Sequence, residues 1–296
     1  MKIIKANDIN KKYVFENISV CIGNFDGIHL GHQALINEVL KNPLKHGLIT
    51  FEPHPIKILV DNNYKTLMSL DDKIAYLESS LDYLIVIEFN QKFSQIAPLE
   101  FIKFLEINQI KEVVCGYDFH FGFKASGDIL MLKKYFTVKS IDPVYVDSEI
   151  VKTQKIRTYL IDGNIEEANK LLGRTYSLTG TVKHGHQLGR TIGFPTANLH
   201  EDNLLIPANG VYATKTLIDG KLYLSMTNIG HNPTFNHNDN IVIETNVIDY
   251  NDNLYDKKII VYFYKLIRFE RKFSSANELK DELKKNQDFV RKNLQY

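Results

Sequence analysis

Ile18-Ser19-Val20-Cys21-Ile22-Gly23-Asn24-Phe25-Asp26-Gly27-Ile28-His29-Leu30-Gly31-His32 runs from a short apolar stretch, through a glycine-punctuated loop, into a segment that reads as a helix from Gly31 to Lys41. Five residues of this kind ending in a glycine predict a buried strand. A strand, loop and helix in that order bring free backbone N–H groups and the positive end of a helix to one point, which suits an anion. His29 and His32 are three apart and share a face of the first turn. Imidazoles there can donate to phosphate oxygens and neutralise charge that develops as a P–O bond breaks. Gly27 and Gly31 let the backbone approach a ligand with no Cβ in the way.

Outward from that stretch, the first half of the chain alternates. Strands are expected at Leu48–Phe51, Tyr83–Phe89 and Glu112–Cys115. Helices are expected from Ser69, where Ser69-Leu70-Asp71-Asp72 reads as a capping box, to Leu81, over Pro98–Asn108 and over Ile129–Phe136. Short apolar strands separated by helices imply a parallel sheet covered on both faces, with ligands at the carboxyl ends of its strands. Past Gly173 the pattern changes. Val211–Leu217, Leu222–Ile229, Ile241–Ile248 and Ile259–Leu266 alternate or nearly so, and Asp219-Gly220 is a hairpin signal. An antiparallel barrel is expected, closed by a helix that Ser275-Ala276-Asn277-Glu278 caps and that Leu279, Leu283, Val290 and Leu294 anchor. Ile156–Leu172 reads as a helical connection, so domains are drawn at 1–172 and 173–296. The fold class is α/β plus β: a Rossmann-like parallel sheet with helices, then an antiparallel barrel with a terminal helix.

The bulk numbers narrow the class further. The chain has 296 residues, a formal net charge of +1 and 44% hydrophobic residues, as in a globular protein of two ordinary domains. No stretch approaches the length of a membrane span, and Met1–Asp8 lacks a signal-peptide core. A charge near zero argues against nucleic acid as a partner. Cys21 and Cys115 each end an apolar run and read as buried free thiols of a reducing compartment, the cytoplasm. Oligomerisation beyond a monomer or weak homo-oligomer is not indicated.

The first motif resembles the nucleotidyltransferase superfamily built on H-x-G-H, and more narrowly the adenylyltransferase half of the bacterial bifunctional riboflavin kinase/FAD synthetases. Thr50-Phe51-Glu52-Pro53-His54-Pro55 and Gly116-Tyr117-Asp118-Phe119-His120-Phe121-Gly122 match two further signatures in order and spacing. The resemblance implies an ATP site at Gly23, Asn24, Phe25, Asp26, Gly27, His29, His32, Thr153 and Arg157, with His29, His32 and Arg157 catalytic. It implies that Pro53, His54, Asp118 and Phe121 shape an FMN pocket. The chain departs from the family at His120 (usually arginine), at Ala125 (usually basic) and in Lys152-Thr153-Gln154-Lys155-Ile156-Arg157, where a Ser/Thr-rich run is usual and only Thr153 and Arg157 keep the expected chemistry.

In the second half, Gly180-Thr181-Val182-Lys183-His184-Gly185-His186-Gln187-Leu188-Gly189-Arg190 is a glycine-rich loop with interleaved basic residues, and the chain contains no P-loop. Thr196 and Asn198 lie two apart, so an extended backbone puts a hydroxyl and an amide oxygen on one face, a donor set that suits Mg²⁺. Gly189 to Asn198, with Gly193-Phe194-Pro195-Thr196-Ala197-Asn198 at its centre, resembles the ATP and Mg²⁺ site of riboflavin kinases. Gly210–Ala213, Asn228–Phe235, Leu254-Tyr255, Arg268–Glu270 and Lys272–Ser275 also match. The resemblance implies ATP at Gly180, Lys183, Gly185, Gly193, Pro195, Thr196 and Asn198, and flavin at Asn228, Thr234, Arg268 and Glu270. Glu244 is a carboxylate in an otherwise apolar strand; by the family's Glu-Thr pattern it is the general base. The expected function is therefore twofold: riboflavin to FMN, then FMN to FAD, each with ATP as co-substrate. Two rivals are a riboflavin kinase whose first domain has lost adenylyl transfer, and a flavin-sensing regulator that contacts nucleic acid.

Overall fold

The computed structural model describes residues 1–183, 193–231 and 241–294. By its contacts the chain divides into two units, Met1–Thr153 and Gln154–Tyr296. The first contains β1 (Lys2–Ala6), β2 (Ile18–Ile22), α1 (Leu30–Val39), β3 (Lys45–Glu52), α2 (Pro55–Leu59), α3 (Leu70–Leu77), β4 (Tyr83–Glu88), α4 (Pro98–Ile107) and β5 (Ile110–Gly116). It continues through a two-residue ribbon, β6 (His120–Phe121) with β7 (Gly127–Asp128), then α5 (Ile129–Leu132), β8 (Thr137–Ile141) and a second ribbon, β9 (Tyr145–Val146) with β10 (Glu149–Ile150).

Six strands form one parallel sheet in the order β1-β4-β3-β2-β5-β8. All five residues of β2 are buried, because successive side chains leave opposite faces and both faces are covered. Ile18, Val20 and Ile22 join a core with Phe101, Ile102 and Leu105 of α4. Cys21 packs on the other side with Leu35, Ile36 and Val39 of α1 and Leu77 of α3. Both cysteines are buried free thiols.

The helix starts follow their caps. Ser69 Oγ accepts from Asp72 N at 3.0 Å and opens α3, which ends at Leu77 rather than Leu81 as polar Ser79 and Ser80 turn the chain. Asp128 Oδ1 accepts from Met131 N at 2.8 Å and opens α5. That helix stops at Leu132, short of Phe136, where the chain passes into turns.

The second unit begins with α6 (Thr153–Ile161, its first residue in the first unit) and α7 (Ile165–Leu172). Its strands are β11 (Tyr176–Lys183), β12 (Ala197–His200), β13 (Gly210–Ile218), β14 (Lys221–His231), β15 (Ile241–Val247) and β16 (Lys258–Arg268), and α8 (Ala276–Asn293) follows. They close into an antiparallel barrel in the order β11-β12-β15-β14-β13-β16. Asp219 and Gly220 hold φ of 48° and 80°, the left-handed pair a two-residue hairpin requires between β13 and β14. Asn169 on α7 donates through Nδ2 to Phe263 O (2.9 Å) and accepts at Oδ1 from Tyr176 N (2.6 Å). The connecting helices are thereby tied to the barrel, and the contact division precedes Gly173. Val290 of α8 and Leu294, which follows its last residue, are buried against Ala213, Leu224 and Met226.

Candidate active sites

In the first unit the loop after β2 is built under strain. Phe25 and Ile28 hold φ of 49° and 41°, with Gly27 at 78° between them. Both large side chains are fully buried, and Phe25 packs its ring 5.1 Å from that of His32. The loop ends on His29, whose Nδ1 accepts from His32 N at 3.3 Å and so caps α1. That places the His29 proton on Nε2, which lies 3.1 Å from Thr153 Oγ1 and donates to it. The two imidazoles stack with centroids 3.6 Å apart and 14° between planes.

Burial pushes His29 down from its ordinary 6.5 to about 4. His32 falls well below 6.5 through burial first, then through the charges of His29 and Lys73. Both rings are therefore neutral near pH 7, as hydrogen-bond donors rather than cations. An anionic ligand at this point opposes that depression.

Two cavities flank the loop. One of about 410 Å³ is lined by Gly23, Asn24, His29, His32, Lys152 and Thr153 among others. The other, of about 790 Å³, is largely aromatic, with Phe51, Phe89, Phe93, Phe119, Phe121 and Phe123 in its wall. Gly23, Asn24, Asp118 and Phe119 line both, so the two cavities share a wall at the end of β2. A nucleotide-sized space and a ring-sized aromatic space thus meet at the phosphate-binding loop.

Of the residues anticipated here, Gly23, Asn24, His29, His32 and Thr153 line the smaller cavity, and Asp118 and Phe121 line the larger. Phe25 and Asp26 instead support the loop from beneath. Asp26 is 3% exposed and its Oδ1 accepts from Leu67 N at 2.7 Å. Gly27 supplies the turn. Pro53 and His54 stand behind Pro55, which lines the larger cavity. His54 stacks on Tyr64 at 4.9 Å and caps α2 by accepting from Ile56 N. Arg157 is on α6 in the second unit, one turn beyond Thr153. His120 and Ala125, the two departures in this region, both line the larger cavity.

In the barrel, strand register gathers residues from separate motifs. Lys183 pairs with Asn198, Asn198 with Glu244, and Glu244 with Asn228. Directly opposed residues in antiparallel strands leave the same face, so these four side chains form one row across β11, β12, β15 and β14. The row continues through Val211 to Arg268. The neighbours Val182, Ala197, Ile243 and Thr245 are buried, so the row faces out of the barrel. Thr196 stands just before β12 and lines a cavity with Ala197 and Thr245. A Cβ on Gly230, two residues after Asn228, would lie 1.9 Å from Glu270 Oε1, so the Glu270 carboxylate rests on this face as well.

Arg268 is turned toward α8. Its Nε pairs with Glu282 at 3.4 Å, and its guanidinium lies 5.3 Å from the Phe273 ring. A cavity of about 550 Å³ is lined by Pro195, Thr196, Thr245, Tyr250, Asp252 and Tyr255 among others. Gly180 has a packing role: a Cβ there would meet His200 O at 2.6 Å where β12 crosses β11. Gly193 holds a left-handed φ of 85°, and among the described residues none would crowd a side chain there. Gly185 and Thr234, with the basic loop His184–Arg190, lie outside the described residues.

Asn198 and Glu244, paired across β12 and β15, supply an amide oxygen and a carboxylate on one face, and Thr196 adds a hydroxyl at the turn just before β12; oxygen donors of this kind fit Mg²⁺. Among the described residues no group of three His, Cys, Asp or Glu side chains forms a metal cluster. Sequence reading missed Lys73, Thr50 and Tyr64 in the first unit and Asn246 in the second. Thr50 opens the Thr50–Pro55 motif, but its hydroxyl is aimed back at Asn24 O and Lys73 rather than at a ligand; Lys73 and Tyr64 stand in no motif, and only folding brings them beneath one.

A parallel α/β unit with a histidine-bearing phosphate loop, followed by a barrel with a carboxylate and oxygen donors in register, defines a two-domain phosphotransfer protein. A family model described as FAD synthetase matches residues 11–158, and one described as riboflavin kinase matches residues 172–294. A Buchnera aphidicola bifunctional riboflavin kinase/FMN adenylyltransferase is 38% identical over 99% of this chain and 98% of its own. A Listeria monocytogenes protein of the same description is 35% identical over 96% and 92%. A solved Streptococcus pneumoniae structure described as a macrolide-efflux protein superposes with a TM-score of 0.90, at 30% identity and 98% coverage of both chains. That description belongs to the pneumococcal protein; among the described residues here, no helix is long and apolar enough to cross a membrane. The chain belongs to the bifunctional riboflavin kinase/FMN adenylyltransferase family.

Proposed function

We propose that the chain makes FAD in two steps, phosphorylating riboflavin to FMN in the barrel and adenylylating FMN in the parallel α/β unit. The reading is carried by the convergence of motifs distant in sequence on one point in each unit. In the first unit that point is the wall shared by two cavities; in the second it is the row Lys183, Asn198, Glu244 and Asn228.

In the barrel, Glu244 accepts the proton of the ribityl 5′-hydroxyl as that oxygen attacks the γ-phosphorus of ATP and ADP departs. Asn228 and Glu270 orient the flavin. Thr196 and Asn198 would hold Mg²⁺, which would neutralise charge on the phosphates. In the first unit a phosphate oxygen of FMN attacks the α-phosphorus of ATP and pyrophosphate leaves. The aromatic cavity takes the isoalloxazine ring and the smaller one the nucleotide. His32 donates a neutral hydrogen bond to the charge developing where the two cavities meet, and His29 does the same when its Nε2–H turns from Thr153 to the phosphate. Neither step forms a covalent bond to the protein, so rate comes from in-line positioning.

The test is separation of the two activities. Glu244→Gln should lower FMN formation about 10²- to 10⁴-fold, the usual worth of a general base, while FAD formation from supplied FMN persists. His29→Ala should lower adenylylation about 10²-fold or more and spare the kinase. Loss of both activities in either folded variant contradicts two independent sites.

A further inference from the structure

Lys73 is a cation buried behind the phosphate-binding loop. The Ser69 cap starts α3, and Lys73 N bonds Ser69 O at 3.0 Å, so the side chain enters the protein from the first turn. It is 5% exposed. Its Nζ donates to Asn24 O at 2.9 Å and to Thr50 Oγ1 at 2.9 Å, and Thr50 Oγ1 in turn donates to Asn24 O at 3.0 Å. The result is a closed triangle directly behind Asn24, a residue that lines both cavities. Burial lowers Lys73 from its ordinary 10.5 to about 8, while the carboxylates of Asp26 and Glu52 oppose that fall from the loop and from the end of β3, so the group is an ammonium at neutral pH; its charge in turn acts on His32.

A hydroxyl or an amide could hold one carbonyl at far lower cost, because burying an ammonium costs several kcal/mol before its partners offset it. What an ammonium adds is charge. Two anions, the FMN phosphate and the ATP α-phosphate, must come within bonding distance at the shared wall, and a fixed positive charge behind it lowers their repulsion most as they meet.

We propose that Lys73 is a positioning residue of adenylyl transfer, fixing the Asn24 carbonyl through the Thr50 triangle and supplying positive charge behind the wall where the two anionic substrates meet. The inference rests on the adenylylation reading of the first unit, and its test separates the two.

In the full chain, Lys73→Met is compared with wild type for FAD formation from FMN and ATP, for ATP affinity by calorimetry, for riboflavin phosphorylation and for thermal midpoint. The expected result is a fall in adenylylation kcat of about 10²-fold, a KM for FMN within about threefold, and an intact kinase. A lowered midpoint with adenylylation kcat within threefold of wild type overturns the proposal and leaves Lys73 structural. Should Lys73→Met not fold, Thr50→Val and Thr50→Ser decide. The valine variant loses about tenfold in kcat and the serine variant recovers most of that loss; equal behaviour of the two overturns the proposal. Should wild type itself form no FAD, the adenylylation reading fails, and ATP affinity judges Lys73. Weakening by about tenfold in Lys73→Met supports the ammonium at this wall, and equal affinity rejects it.

Discussion

Phe25 and Ile28 sit in a backbone region that costs non-glycine residues about 1–3 kcal/mol each, yet both are fully buried. Burial of two large apolar side chains offsets that strain and fixes the loop before any ligand arrives. The same burial depresses His29 to about 4. The unfolded chain therefore binds a proton between pH 6.5 and 4 that the folded chain refuses, and stability falls as pH drops through that window. The loss attributable to His29 is on the order of 3 kcal/mol when the window is crossed. His32, displaced in the same direction, adds to it. Urea midpoints at pH 7.5 and 5.0 should diverge more for wild type than for His29→Gln. An equal divergence contradicts the buried neutral imidazole. The histidine pair was legible from its spacing and its place after a buried strand. Lys73 was not, because its burial depends on α3 packing beneath a loop some fifty residues earlier. Nor could sequence tell that Phe25 and Asp26 support the loop from below rather than line its cavity.

At the scale of elements, the strands legible in sequence were those with strong apolar runs: β2, β3, β4 and β5 in the sheet and β13 to β16 in the barrel. The edge strands β1 and β8 escaped notice because half-exposed, mixed sequence such as Lys2-Ile3-Ile4-Lys5-Ala6 carries no such run. In the barrel, β11 and β12 were hidden inside motifs read as ligand loops. The capping signal at Ser275 located α8, but not what it does. Gln287 on α8 donates to Asn246 Oδ1 at 2.9 Å, and Asn246 Nδ2 donates to Pro195 O at 2.7 Å, one residue before Thr196. The terminal helix thus holds the turn proposed to carry ATP and Mg²⁺. Asn246→Ala strands a carbonyl and an amide and should cost about 1–3 kcal/mol. It should also raise the KM for ATP in riboflavin phosphorylation while FAD formation from supplied FMN is kept. Gln287→Ala, which leaves the Pro195 contact in place, should do less in both assays. A KM unmoved by Asn246→Ala contradicts the tie between helix and turn.

For the whole molecule, the two fold classes were legible because period-2 alternation replaces strand–helix alternation past Gly173. Where contacts divide the chain was not: the division falls ahead of Gly173, between Thr153 and Gln154, because α7 is tied to the barrel through Asn169 and through the Glu166–Lys265 ion pair at 3.0 Å. The register row around the barrel was likewise beyond sequence reading. Antiparallel pairing alone brings Lys183, Asn198, Glu244 and Asn228 side by side, from positions spread over about sixty residues. The departures at His120, Ala125 and Lys152 to Lys155 fall in or beside the first unit, so adenylyl transfer is the step to measure. The decisive measurement is a chromatographic time course of the purified chain with riboflavin, ATP and Mg²⁺. FMN should appear first and FAD after it. FMN that accumulates with no FAD, even when FMN is supplied directly, contradicts the two-step reading.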